Sequence, residues 1–207
     1  MVVTGIVEYT KGKYKIFLND EFAFVLYKGE LRKYGIKQDG ILSDDVYHEL
    51  ITVVLTKRAK LRALNLLKVR DYTVNSLRRK LKEGLYPDEV IDDAVEYVIS
   101  YGYVDDLRYA ESYIRSNKTS RSRHEIEQKL RVKGISGDII SEAFENEGPG
   151  EEEEEELIRR YLLKKCRSND ISDEASRRKI FAYMYNKGFA PDRVRRILDE
   201  VLLDITM

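Results

Sequence analysis

The stretch KEGLYPDEV, residues 82–90, returns twice in altered form, as VKGISGDII at 132–140 and as NKGFAPDRV at 186–194. Each copy places proline or glycine three residues after a shared glycine, aspartate four residues after it and a β-branched aliphatic six residues after it. The glycines Gly84, Gly134 and Gly188 lie 50 and 54 residues apart. Glycine accepts the left-handed backbone that closes a helix, and proline and aspartate suit the first turn of the next one. The pattern therefore predicts tandem helical repeats.

Composition is typical of a globular, water-exposed chain. Of 207 residues, 43% are hydrophobic and 36% are charged, and the single cysteine excludes an internal disulfide framework. Residues 1–6 lack the basic start and apolar run of a signal peptide. The longest apolar stretch, around residues 51–55, is far shorter than the roughly 18 residues of a membrane span. We expect a soluble cytoplasmic protein with no membrane contact.

The net charge of zero hides strong segregation of charge along the chain. Basic and acidic segments alternate, with net charges of +9, −8, +5, −10 and +5 over residues 57–82, 83–113, 114–134, 135–157 and 158–207. Charged helices can carry such clusters simply as solvated faces. Alternatively, because the basic clusters fall at similar places in successive repeats, they form one positive interaction surface.

The first 42 residues differ from the rest of the chain. Apolar residues alternate or cluster, as they do in strands, in three short runs at residues 2–7, 14–18 and 22–26. Turn residues separate these runs. A short helix is predicted at residues 30–34. We therefore predict a small β-sheet region over residues 1–42, which needs another element to pack against.

From Ser43 onward the pattern predicts helices only. We divide this part into three three-helix repeats, over residues 43–103, 104–148 and 149–207, and expect them to form an elongated, curved body. Ser122 and Glu125 form a predicted capping box. Ile126 and Leu130 match Leu77 and Leu81, with one residue fewer in the turn of the first repeat.

The third repeat follows a glycine-rich hinge at residues 148–150 and a run of six glutamates, Glu151–Glu156. This run is either a flexible linker or the first turns of a helix, where the helix dipole favours acids. We favour a helix from about Glu152. The remaining predicted helices of this repeat cover about 173–187 and 191–203.

Catalytic chemistry finds little support in the sequence. His48 and His124 lack cysteine or histidine neighbours at metal-ligand spacing, and no glycine-rich phosphate loop is present. Cys166 lies among basic residues that could lower the pKa of its thiol, although an ordinary half-buried cysteine fits better. The acidic pairs at 44–45, 92–93 and 105–106 lie within predicted helices or at their starts, where capping and dipole effects explain most of them without a metal. We expect a protein that is not an enzyme, with no metal, cofactor or small-molecule substrate.

The basic helices are the better candidates for function, because spaced cations match the phosphates of DNA or an acidic protein surface. Tyr72 and Tyr113, near the basic clusters, could stack on bases. The residues predicted to bind a partner or DNA are Arg58, Arg62, Arg70, Arg78, Arg79, Lys80, Lys82, Arg108, Arg115, Arg121, Arg123, Lys129, Arg131, Lys133, Arg159, Arg160, Arg177, Arg178 and Lys179.

The sequence resembles the RecX family of recombinase regulators in three features. These are the segment GYVDDLRYA at residues 102–110, the run LRRKL at 77–81 and the glycine turn that occurs three times. The resemblance covers residues from about 57 to 203; Gly137 in place of proline, the shortened turn at residues 83–84 and the glutamate run depart from it. It implies a monomeric, non-enzymatic protein. Such a protein binds the RecA recombinase along the groove of its DNA filament, lowers its ATPase and strand exchange, and acts in recombination, DNA repair and the SOS response.

Some family members also contact DNA, and acidic segments such as Asp92, Asp93, Glu96 and the glutamate run could meet basic patches on the recombinase. Two other functions remain open at this point. One is a general DNA-binding protein without a recombinase partner. The other is a metal-dependent nuclease that uses Asp105 and Asp106.

Overall fold

The computed structural model of the chain describes the backbone of residues 1–168 and 174–206. The side chain of Arg167, one of the basic residues beside Cys166, and the start of the helix predicted at about residue 173 lie outside the described residues. The chain separates into two compact units, Met1–Asp105 and Asp106–Met207. The finer division into a sheet region and three repeats with boundaries after residues 42, 103 and 148 stays a prediction.

The first unit begins with the predicted sheet, an antiparallel meander of three strands in the order β1-β2-β3. Alternation places Ile16 and Leu18, together with Phe24 and Leu26, on the buried face. These side chains join one core cluster with those of the helices that follow. The sheet therefore packs on the first repeat. The strands are β1 Val3–Thr10, β2 Lys13–Leu18 and β3 Glu21–Tyr27.

The helices of the first unit include one long helix whose middle is π-helical. Its π-helical segment, Leu50–Leu55, has wider turns than an α-helix. The hydroxyl of Thr56 donates to the carbonyl of Ile51, five residues back, at 2.9 Å. The α-helix that follows, Thr56–Leu67, buries Ala59 and Ala63 and leaves Leu61 53% exposed. The helices are α1 Lys28–Lys33, α2 Asp44–Glu49, α3 Thr56–Leu67, α4 Val74–Glu83 and α5 Asp88–Ser100.

The second unit contains two three-helix groups, each with its own cluster of buried side chains. The predicted capping box at Ser122 and Glu125 is present. The glutamate run is helical from Glu151, which confirms the interpretation as a helix start. The helices are α6 Asp106–Asn117, α7 Arg123–Val132, α8 Gly137–Glu147, α9 Glu151–Ser168, α10 Glu174–Asn186 and α11 Pro191–Thr206. With the sheet and α3–α5, this confirms a mainly α-helical fold of three tandem repeats after a small sheet.

The turn after the second helix of each repeat corrects the alignment of the repeats. Gly134 and Gly188 are left-handed, with φ of 82° and 85°, but Gly84 has φ of −80° and the left-handed residue is Leu85, with φ of 61°. Leu85, Gly134 and Gly188 each lie four residues after the buried Leu81, Leu130 and Met184. The prediction of a shorter turn in the first repeat is therefore wrong, because the backbone conformation and not the glycine defines the equivalent position.

The same hydrogen bond closes all three turns. The amide N–H of the residue after the left-handed position donates to the carbonyl of the buried residue five positions back, as in a Schellman motif. The N···O distances are 3.5, 3.2 and 3.3 Å for Tyr86 to Leu81, Ile135 to Leu130 and Phe189 to Met184. This bond turns the chain so that the apolar residue after the turn packs into its own repeat.

Repeats two and three meet at Glu125, the acid of the capping box on α7. Its carboxylate accepts a hydrogen bond from the backbone amide of Ser122 at 3.1 Å. From the third repeat, Lys187 Nζ lies 2.5 Å from Oε1 and the Tyr161 hydroxyl donates to Oε2 at 2.8 Å. Burial alone would raise the pKa of Glu125, but the bonds from Lys187, Tyr161 and Ser122 outweigh it and lower the pKa to about 2. Burial and the bond to Glu125 raise the pKa of Tyr161 to about 12.

Substitution of Gly188 by alanine should destabilise the second unit more than the same substitution at Gly102 in the first. Both glycines are left-handed, which costs alanine roughly 1–2 kcal/mol. At Gly188 the added Cβ would also lie 2.8 Å from Cβ of His124, whereas at Gly102 it meets no atom within 4 Å. Urea denaturation of Gly188→Ala and Gly102→Ala measures the loss in the free energy of unfolding of each variant. Equal losses would contradict the close approach of α7 to the third turn.

The interaction at Glu125 should make stability depend on pH below neutrality. Because the pKa in the folded protein is about 2, below the ordinary value of 4.5, the stabilisation is complete above pH 4.5 and is lost as the pH falls toward 2. The free-energy difference between the wild type and Glu125→Gln, measured by calorimetry, should therefore shrink over that interval. A difference that stays constant with pH would show that the carboxylate charge contributes nothing.

Candidate partner-binding surface

The second helix of each repeat carries most of the predicted cations. The buried pairs Leu77 and Leu81, Ile126 and Leu130, and Ile180 and Met184 define equivalent positions on α4, α7 and α10. In this frame Lys80 corresponds to Lys129, and Lys82 to Arg131. The third repeat has Tyr183 and Tyr185 at these two positions. The first two repeats therefore share a pair of cations that the third replaces with aromatic side chains.

Acids of the same repeat engage three of the four cations on α4. Arg78 forms an ion pair with Asp92 of α5. Lys82 Nζ lies 3.1 Å from Asp88 Oδ1, and Lys80 Nζ lies 2.6 Å from Glu83 Oε2. All three pairs are largely exposed, so each contributes little to stability and exchanges readily with water or another anion. Asp92, one of the acids predicted to meet the recombinase, is thus already paired within the chain.

Arg58 differs from the other predicted cations because it holds the sheet to the first repeat. Its guanidinium donates to the carbonyl of Val25 on β3 at 3.0 Å and pairs with Glu30 of α1. Its Cζ also lies 4.3 Å from the ring centre of Tyr27. The side chain is only 19% exposed, so a variant of Arg58 would disturb packing as well as charge.

Other predicted cations also have partners within the chain. Arg121 donates to Asn117 at 3.0 Å. Arg70 and Lys133 lie over the rings of Tyr72 and Tyr109. The cations paired with an acid are Arg115 with Glu147, Arg123 with Glu127, Arg159 with Glu200 and Arg178 with Glu174.

A further group of predicted cations is exposed. Arg108 and Arg177 are exposed and interact with other groups of the chain. Within the part of the chain that the structure describes, six more exposed cations form no ion pair. These are Arg62, Arg79, Lys129, Arg131, Arg160 and Lys179. They are the predicted site residues with charge most available to an external partner.

The two tyrosines predicted to stack on bases are not free surface rings. Tyr72 is 9% exposed and lies beneath Arg70, whose Cζ is 4.7 Å from the ring centre. Tyr113 packs against the buried cluster of the second repeat. The prediction for Tyr72 is wrong, because proximity to basic residues in the sequence does not indicate which face of a helix or loop a ring occupies.

Part of the glutamate run is paired within the third repeat, which the sequence reasoning missed. Arg193 of α11 binds Glu151 and Glu154, and Arg196 binds Glu155. Lys118 at the end of α6 contacts Glu153 at 3.0 Å, and this bond lowers the pKa of Glu153. The spacing of these charges in the sequence could have indicated the pairing. Glu154 and Glu155 lie three and four residues after Glu151 and share one face of α9 with it, and Arg193 and Arg196 are three residues apart and share one face of α11.

The structure bears on two of the candidate sites for chemistry that the sequence offered, the metal site and the thiol. No three His, Cys, Asp or Glu side chains in residues 1–168 and 174–206 are arranged to hold a metal ion. Burial raises the pKa of the Cys166 thiol, which agrees with the favoured interpretation of an ordinary buried cysteine and not with a thiol activated by neighbouring cations. None of the described helices has the length and apolar character needed to cross a bilayer.

Comparison with known proteins matches each repeat to a separate family model. The RecX first, second and third three-helix domains match residues 59–97, 105–143 and 151–198. The matched segments coincide with α3–α5, α6–α8 and α9–α11. The repeat order in the chain is therefore the order in the family.

Whole-chain comparisons agree. Regulatory protein RecX of Caldanaerobacter subterraneus subsp. tengcongensis is 29% identical over 96% of this chain and 99% of its own length. That of Trichlorobacter lovleyi is 31% identical over 68% of this chain and 93% of its own length. A crystal structure of regulatory protein RecX superposes with a TM-score of 0.67 at 25% identity, covering 96% of this chain and 98% of that one. The chain belongs to the RecX family.

Proposed function

We propose that this protein binds the RecA recombinase and its DNA filament in the cytoplasm and inhibits ATP hydrolysis, strand exchange and the repair that depends on them. The observation that carries the proposal is the match of all three repeats, in order, to the three RecX domains. Relatives that span nearly the whole chain are named regulatory proteins, which supports a role in binding rather than catalysis.

The distribution of charge supports binding to a polymer. Exposed cations occur on successive helical repeats, such as Arg79 on α4 and Lys129 and Arg131 on α7. A filament offers the same acidic or phosphate groups at regular intervals, so weak contacts made by several repeats add up to a strong overall affinity. Each single contact is exposed and weakened by salt. A monomer that bridges several filament subunits explains inhibition without a deep pocket.

The alternative is a general DNA-binding protein without a recombinase partner. The six exposed cations that form no ion pair among the described residues support it equally well. The two functions differ in a measurable way, because simple DNA binding inhibits a recombinase only by occupying its DNA.

Addition of the protein to RecA on single-stranded DNA should lower ATP hydrolysis at ratios well below one protein per recombinase. Each bound molecule would restrain several filament subunits, so the number of inhibited recombinase subunits would exceed the number of bound molecules. The measurement is steady-state ATP hydrolysis at increasing protein. An unchanged rate at an equimolar ratio would refute the proposal, and inhibition that excess DNA fully relieves would favour the general DNA-binding alternative.

Neutralisation of the exposed cations on the second helices should weaken binding without unfolding the protein. The variant is Arg79→Gln, Lys129→Gln and Arg131→Gln, which avoids the cations paired with acids. Loss of three exposed charge contacts, each worth up to about 1 kcal/mol, should reduce affinity for the RecA filament by tenfold or more. Surface plasmon resonance on immobilised filaments would measure it.

The matched control carries Lys28→Gln, Arg32→Gln and Lys37→Gln, three exposed cations around α1 and the segment after it. It removes the same charge from a different surface. If both triple variants lose affinity equally, only net charge matters, and the exposed cations of α4 and of α7 make no specific contact with the filament.

A further inference from the structure

A cleft of about 470 Å³ lies in the first unit, between the sheet and the first repeat. Its walls come from the three strands, the helix α3 and the turn after α4. The side chains that give it its chemistry are Tyr9, Lys13, Tyr27, Arg58, Arg62 and Tyr86, and none of the described residues that line it is an aspartate or a glutamate. The cleft is thus both cationic and aromatic, and its volume is typical of ligand sites.

The positive charge of the cleft is only partly neutralised. Glu30 pairs with Arg58 from α1. Lys13 and Arg62 are exposed and form no ion pair with the residues that the structure describes. Burial raises the pKa of the Tyr86 hydroxyl in the same wall, and the charges of Arg58 and Arg62 oppose that effect. An anionic group is therefore the favoured occupant.

The tyrosines at the rim keep part of their surface exposed, in contrast to Tyr72. Tyr9 is 49% exposed and Tyr27 is 40% exposed. Cations hold them in place: Lys15 Nζ lies 4.8 Å from the Tyr9 ring centre, and Arg58 Cζ and Lys13 Nζ lie 4.3 and 5.5 Å from the Tyr27 ring centre. An acidic peptide would satisfy the cations but leave the rings unused.

The turn at the cleft wall carries backbone strain that the other repeats avoid. Leu85 lines the cleft in the left-handed conformation, with φ of 61°, where the other repeats have Gly134 and Gly188. A left-handed leucine costs stability that glycine would not. Strain of this kind persists where the side chain serves a purpose, and here the side chain forms part of the cleft.

We propose that this cleft binds single-stranded DNA, with an unpaired base stacked on Tyr9 and phosphates held by Lys13 and Arg62. Alternating aromatic and cationic groups are the chemistry by which proteins hold single strands. In a duplex the bases are stacked on each other and cannot reach the rings. The inference rests on the DNA contact in the proposed function and assigns it to the N-terminal sheet.

The test measures binding by fluorescence anisotropy, without recombinase, so that it can fail while inhibition of RecA stands. The probes are labelled oligothymidylate of about 12 nucleotides and an abasic strand of equal length and charge. The wild type should bind oligothymidylate more tightly than the abasic strand. Tyr9→Ala should weaken oligothymidylate binding about tenfold and leave the abasic strand unaffected.

Arg62→Ala should weaken both strands and reduce the slope of log affinity against log salt by about 0.7, the value for one lost phosphate contact on a single strand. The matched controls are Tyr101→Ala, an exposed tyrosine outside the cleft, and Lys37→Ala, an exposed lysine outside it. Circular dichroism melting would verify that each variant is folded.

Three results would overturn the site. Equal affinity losses in the cleft variants and the controls would place DNA elsewhere on the surface. Equal binding of the abasic and thymidylate strands by the wild type would remove the role of the rings. A glutamate polymer that binds as tightly as DNA and is insensitive to Tyr9→Ala would assign the cleft to an acidic polypeptide.

Discussion

The reversal of the chain after the second helix of each repeat is the constraint on which the fold depends. In each repeat an amide of the turn donates to the carbonyl of the buried residue five positions earlier, at Leu81, Leu130 and Met184. This bond requires a left-handed residue in between. It directs the next apolar side chain, Tyr86, Ile135 or Phe189, toward the core of its own repeat and starts the third helix in the right direction.

The turn also has a different structural role in two of its copies. At Gly188 the absence of a side chain lets the third turn approach His124 of the second repeat, beside the hydrogen bonds of Glu125. At Leu85 a side chain is kept in spite of strain, at the wall of the cationic cleft. One backbone motif thus serves packing between repeats in one copy and the lining of a site in another.

Charge has two roles in this chain, and the structure separates them. Many cations are paired within their own repeat, as Arg78 is with Asp92 and Arg193 is with Glu154. Others, including Arg79 and Lys129, are exposed without an ion pair among the described residues. The cations of the second group can bind a filament or a nucleic acid without breaking an ion pair within the described part of the chain. A list of basic residues therefore overstates a binding surface.

The sequence by itself determined the repeat architecture, the strands, the capping box at Ser122 and the helical state of the glutamate run, because these depend on residues close together in the chain. It also contained the resemblance to the RecX family, whose segments are contiguous. It placed the repeat turn at Gly84, since composition points to glycine, while the backbone uses Leu85.

Only the tertiary structure decided which charges are paired, which tyrosines are exposed and where the cleft lies. Partners such as Glu125 and Lys187 are 62 residues apart, and Tyr9 and Arg62 meet only when the sheet packs on the first repeat. Local sequence patterns determine the hydrogen bonds between residues close together in the chain. Ion pairing and exposure depend instead on which helix and strand faces remain at the surface once the core has packed. For that reason the family and fold could be read from the sequence, whereas the site residues required the folded chain.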